Sequence, residues 1–260
     1  MTAWWDQNTR RRRDGEIPVH PQTYLHRLAE GSAYSSNDYR ERLQGLAVLG
    51  VTFESGHVLA LRHFEQTNAG PGFTALWMRE PNGDWHFFST NPPERSCAKY
   101  VLPELADQTH VHTNWTDDRT LRVDVPAISL RWYIEFAESR RTRFVSAVMR
   151  RVPAAVLRTR AGSTVAGLGA RMGLGADGLR FAGDVATGQI FHGIPRQVWQ
   201  VSRSNAAANT FDFGPMVQRN QQEKFGDFYI PAAPLALAGV LEFSPLPAQL
   251  PAGSELAAAA

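Results

Sequence analysis

The chain has one cysteine, Cys97, among its 260 residues, so no internal disulfide can form. That usage fits a reducing cytosol, and a cytoplasmic location is the expectation. It has two lysines, Lys99 and Lys224, so its positive charge is almost entirely arginine. No apolar run approaches the ~18 residues that a spanning helix requires. The arginine run Arg10 to Arg13 is followed by no apolar stretch of signal-peptide length, so no export signal is expected. Phosphate loops, dinucleotide fingerprints, zinc spacings and nucleophile elbows are all absent. The pair G-x-G within GLGARMGLG follows no strand and lacks the third glycine's spacing. No cofactor and no metal are therefore expected.

One charge sign is missing from a whole region. Between Ser139 and Arg171 lie eight arginines and no acid. The chain's net charge is +2, so the remainder sums to −6. The basicity is local. With no binding motif elsewhere, it does not point to nucleic acid.

Alternating segments dominate the rest. GLAVLGVTFESGHVLALRHF reads as two strands around Glu54-Ser55-Gly56. GFTALWMR and DWHFFST flank Pro81-Asn82-Gly83, and Asn-Gly is a strong hairpin signal. A two-residue turn there pairs Arg79 with His86, Met78 with Phe87 and Trp77 with Phe88. Phe73, Trp77, Arg79, His86 and Phe88 then share one face, and Leu76, Met78, Trp85 and Phe87 the other. Both faces are apolar enough to be covered.

THVHTNW, TLRVDV and ISLRWYIEFA form a meander. Simple turns collect His110, His112, Leu121, Val123, Val125, Leu130, Trp132, Ile134 and Phe136 on its apolar side. Strands resume at LRFAGDV, QIFHGIP and RQVWQVSRS, and end in DFYIPAAPLALAGVLEF. The expected fold is mostly β, an antiparallel lipocalin-like barrel or barrel pair with a helical insert at about 139–173. Residues 1–44 form an arm with short helices, 45–243 the barrel, and 244–260 a disordered tail.

The insert contains TRFVSAVMRRVPAAVLRTR. Phe144, Val145, Val148, Met149, Val152, Ala155 and Val156 fall on one helical stripe. Ser139 or Thr142 caps its start, and Pro153 breaks it. In AGSTVAGLGARMG, Ala161, Val165, Leu168 and Met172 make an apolar stripe and Gly162, Ala166, Gly169 and Gly173 a small one. Three readings stand: the insert closes the barrel's end, it is a lid over an apolar cavity, or it lies on a membrane surface.

Candidate chemistry rests on a few residues. His110 and His112 share one side of a strand, without a third ligand nearby, and suit acid/base work. His63 and Glu65 share a strand face as a second such pair. His86 beside Arg79 can orient an anionic or carbonyl group. Trp77, Phe88 and Trp132 are candidate cavity walls, with Phe144 and Met149 covering the ligand from the insert. Cys97 has no base partner and is read as structural.

The run GFTALWMREPNGDWHFFST, the meander and the DFYIPAAPLALAGVLEF end resemble the lipocalin-like carotenoid hydratases (hydroxyneurosporene synthases). That resemblance implies barrels binding hydrophobic isoprenoid or polyketide-like molecules, with hydration, isomerisation or cyclisation as the chemistry. It implies no particular catalytic residue. The alternatives are a non-catalytic carrier of the same ligand class and a peripheral membrane or partner-binding protein using residues 142–160. Nothing in the sequence sets the oligomeric state.

Overall fold

A computed structural model describes residues 20–30, 41–68, 70–100, 105–176, 179–185, 187–218, 223–225, 228–231 and 233–245. The first half comprises α1 (Pro21–Glu30), β1 (Glu41–Phe53), β2 (Val58–Thr67), β3 (Phe73–Arg79), β4 (Trp85–Ser89), β5 (Ala106–Gln108), β6 (His112–Trp115), β7 (Thr120–Val125) and β8 (Leu130–Ala137). The helical insert follows as α2 (Arg140–Arg151), α3 (Ala154–Leu157) and α4 (Arg160–Leu174). The chain then returns to strands: β9 (Ala182–Asp184), β10 (Ile190–Ala208), β11 (Phe211–Asp212), β12 (Met216–Val217), β13 (Glu223–Phe225), β14 (Phe228–Ile230) and β15 (Leu235–Phe243). Within the span expected as an arm, 1–44, α1 is followed by β1 from Glu41, while residues 1–19, 31–40 and most of the tail lie outside the described residues.

The fold is mostly β, with the helical insert where the charge and periodicity place it. A 13-stranded sheet runs β5-β4-β3-β2-β1-β15-β10-β8-β7-β6, with β12 added to β1 and β9 and β11 to β10, antiparallel except where β5 joins β4. It curls into a half-barrel. Strands from both ends feed one core: Leu76, Met78 and Phe88 join Leu121, Val123, Trp132, Phe136 and Trp199. Two smaller clusters cover the other face. Trp77, Phe87, Tyr100 and Phe243 make one; Met149, Leu157, Ala166, Ala170, Val198 and Leu235 make the other, under the insert.

β10 is one strand of 19 residues where the sequence suggests two. Its first half pairs with β15 and its second half with β8 on the opposite edge. Between Gly193 and Gln200 that opposite edge meets no strand among the described residues. Helix α2 covers it instead. The buried Ser146 hydroxyl accepts from Val198 N at 3.0 Å, and Arg196 Nη1 donates to the Met149 and Val152 carbonyls at 2.9 and 2.8 Å. An uncovered strand edge exposes unpaired amides, so this contact is a structural requirement. Ser139 caps α2 in a capping box closed by Thr142, and the helix stops before Pro153.

The insert's corner is held by charge. Arg158 Nε and Nη2 each donate to the buried Glu242 carboxylate at 2.7 Å, and Arg42 Nε lies 3.0 Å from Glu242 Oε1. Bidentate geometry of this kind offsets part of the cost of burying a carboxylate.

Two expected registers are each displaced by one residue. The β3–β4 connection is a three-residue loop. Glu80 N bonds the Asp84 carbonyl at 2.8 Å, and Gly83 takes φ +106°. Trp77 therefore pairs with Phe87 and Met78 with His86, which puts Phe88 on the opposite face from Trp77. In β6–β7, Asp117 accepts from Arg119 N and Thr120 N, and Trp115 pairs with Leu121. His112 is thus opposite Asp124, on the polar side, rather than among the apolar residues. A slip of one residue exchanges the two faces.

Replacing Ser146 by Ala strands the Val198 amide in a dry interface. The Ser146→Ala variant is expected to lose ~1–3 kcal/mol of stability, read as a lowered midpoint in urea unfolding with an unchanged slope.

Candidate functional site

The outer face of the sheet carries an apolar trough beside the insert. Its floor is Gly45, Ala47 and Leu49 of β1, Leu237 to Leu241 of β15, and Phe191, Gly193, Ile194 and Pro195 of β10. Its far wall is Leu179, Arg180 and Phe181, the segment between α4 and β9. Three neighbouring strands place glycine here: Gly45 pairs with Gly239, which in turn pairs with Pro195 beside Gly193. Both flanking ladders are bulged, between Gln44 and Gly45 and between Pro195 and Gln197. A Cβ on Gly45 would lie 2.0 Å from the His63 carbonyl oxygen, and one on Gly239 2.3 Å from that of Ile194. Only glycine fits, and the missing side chains make the trough.

Arg62 of β2 sits at one end of it, paired with Ala47 and next to Phe64. Its side chain is on the covered side and only 7% exposed. Nη1 donates to the Val48 and Leu61 carbonyls at 2.7 and 2.9 Å. The guanidinium carbon lies 4.5 Å from the centre of the Trp77 ring. Among the described residues no carboxylate pairs with it. Burial pushes its pKa down to about 10, so it remains a cation at neutral pH. The buried Cys97 thiol is pushed up to about 11, by burial first and against the field of Arg62, so it is protonated and inert. That agrees with a structural Cys97.

The expected site residues are dispersed. His110 and His112 stack on each other, ring centres 5.7 Å apart, but both are exposed on the polar side of the meander. Trp132 and Phe88 are buried in the main core, where Trp132 Nε1 donates to Ser204 Oγ at 2.7 Å. Trp77 lies on the other face, stacked under Arg62, so these three do not wall one cavity. His86 faces Glu80 at 3.2 Å rather than pairing with Arg79. Met149 packs from α2 onto the sheet, and Phe144 is 71% exposed.

Glu65 and His63 do meet. His63 Nε2 lies 3.3 Å from Glu65 Oε1 and its Nδ1 2.8 Å from Thr74 Oγ1. The hydrogen bond to His63 holds the Glu65 carboxyl below its ordinary range, against the opposing effect of burial. This chain of groups borders α1, on the opposite face of β2 from Arg62. It does not reach the trough. No group of three potential metal ligands occurs among the described residues.

Arg62 is the residue that sequence reading passed over. The signal was present: alternation in VLALRHF sets Arg62 on one face with Ala60 and Phe64, in a strand next to the hairpin whose two faces were expected to be covered. A cation in such a position is expensive and asks for a reason.

No family model matches the chain, and no curated protein does. Among solved structures the chain matches an acetoacetate decarboxylase from Legionella pneumophila subsp. pneumophila str. Philadelphia 1. The identity is 8% over 80% of this chain and 83% of that chain, with a TM-score of 0.34. A likeness at that level carries no residue role across.

Proposed function

We propose that the protein binds a hydrophobic small molecule in the trough between β1, β15, β10 and Phe181. The single observation behind this reading is the glycine floor. Three strands give up side chains at adjacent positions, opening an apolar recess on a rigid sheet. Among the described residues the lining contains no carboxylate, imidazole, thiol or amine, so the reading is binding or carriage rather than turnover. The resemblance to carotenoid hydratases points to the same ligand class, an isoprenoid or polyketide-like chain. Hydration, isomerisation or cyclisation on that chain would fall to Glu65 with His63, which face away from the recess. A cytoplasmic setting belongs to the same proposal, on the strength of one buried, protonated cysteine.

A second reading has its own observation. The insert's apolar stripes are not buried by the sheet. Val145 and Met149 turn inward, but Phe144 and Val148 are exposed, as are Val165 at 69% and Met172 at 74%. The small residues Ser163, Ala166 and Ala170 face the core instead. Phe144 and Met172 share a shallow groove with Arg140 and Arg141. An apolar ridge edged by arginine fits an anionic bilayer surface. No helix among the described residues is long and apolar enough to cross a membrane.

The two readings separate cleanly. A neutral hydrophobic dye such as Nile red is expected to bind saturably to the wild-type protein. Gly193→Ile fills the recess, since a Cβ there meets only Phe181, its nearest atom a ring carbon at 3.4 Å. That variant is expected to bind about tenfold more weakly or worse while melting at the wild-type temperature; undiminished dye binding would remove the trough from the function. For the second reading, co-sedimentation with phosphatidylserine vesicles is expected at low salt and lost at high salt. A Phe144→Ser, Met172→Ser double variant is expected to stay in the supernatant. Absence of vesicle binding by the wild type at low salt sinks that reading.

A further inference from the structure

Arg62 carries more hydrogen-bonding capacity than the protein uses. Arginine has five N–H donors in a planar fork. Both bonds it makes come from Nη1, to the Val48 and Leu61 carbonyls. Nε and Nη2 bond no protein acceptor among the described residues. Arg62 is also one of the residues that line the trough. Its guanidinium carbon lies over the Trp77 ring at 4.5 Å, a contact that restrains the fork. A buried cation with neither a counter-ion nor a full set of acceptors is costly, and that cost persists only where something offsets it.

We infer that the ligand of the trough is an apolar chain ending in a carboxylate, with the carboxylate seated on Nε and Nη2 of Arg62. This rests on the trough being the ligand site. The match is one of charge and shape. A single guanidinium neutralises a monoanion, and its Nε–Nη2 edge fits the two oxygens of a planar carboxylate. The chain would extend from Arg62 across the glycine floor, over Gly45 and Gly239 towards Gly193 and Phe181. Arg180 stands exposed at the wall.

The test compares octanoate with octanol by isothermal titration calorimetry at neutral pH, on the wild type and on Arg62→Met. Octanoate is expected to bind the wild type at least about tenfold more tightly than octanol, the scale of a charge-assisted hydrogen-bonded pair. In Arg62→Met the preference should vanish while octanol still binds, since the recess is intact and more apolar. Equal affinities of the wild type for acid and alcohol overturn the anionic head and leave the apolar recess standing. Failure of both ligands to bind overturns the recess as well. Should Arg62→Met not fold, the wild-type ratio decides alone.

Discussion

The covered edge of β10 is the constraint on which the architecture depends. This strand changes partners along its length, β15 first and β8 later, on opposite edges. The exchange joins the two halves of the sheet into one curl. It also leaves a gap on the β8 side, between Gly193 and Gln200, where that edge meets no strand among the described residues. Ser146 and Arg196 close that gap through α2, with Gln197 bridging Arg150 and Glu138. The helical insert is therefore a repair of the sheet before it is anything else. Without it, the seam between the two halves would be an open edge.

The same seam explains where the recess lies. A long strand that serves two partners must absorb differences in twist, and it does so by bulging at Pro195–Gln197 and Val201–Arg203. The first of those bulges brings Ile194 close to β15 and demands glycine at 239. The bulge between Gln44 and Gly45 makes the matching demand on β1. Recess and bulges are thus one feature seen from two sides. Arg62 lies beside it because β2 follows the β1 bulge, and its two carbonyl acceptors tie it to β1 and to its own strand.

How much of this was legible in the sequence depended on turns. The turn at Glu54-Ser55-Gly56, the strands on either side of it, a cap at Ser139 or Thr142 (Ser139 in the structure) and the break at Pro153 all follow local rules, and local rules hold. The faces of two hairpins did not. Asn82-Gly83 reads as a two-residue turn, yet Pro81 joins it in a three-residue loop, and that one residue moves Phe88 away from Trp77. At Asp117 a side-chain cap fixes the loop length, and His110 and His112 move to the polar side as a result. The recess was invisible because it is made by glycines far apart in sequence, which become neighbours only through strand order. Arg62 was visible as an anomaly of pattern, a charge on a face that burial claims.

The arginines of the insert divide along the same line. Arg158 reaches inward and grips Glu242, itself cross-strand from Arg42, so part of the local +8 is neutralised inside the fold. Arg150 faces Gln197 across the β10 seam. These two explain why a basic helix packs on this sheet at all. Arg140 and Arg141 belong to the outward face instead, beside Phe144. The helical period thus sorts one uninterrupted basic run into two functions: an inner set that anchors the insert through Glu242 and Gln197, and an outer set that edges an uncovered apolar ridge. Burying that ridge in the sheet would have required the opposite sorting, which small residues at Ser163, Ala166 and Ala170 prevent by filling the close contact themselves.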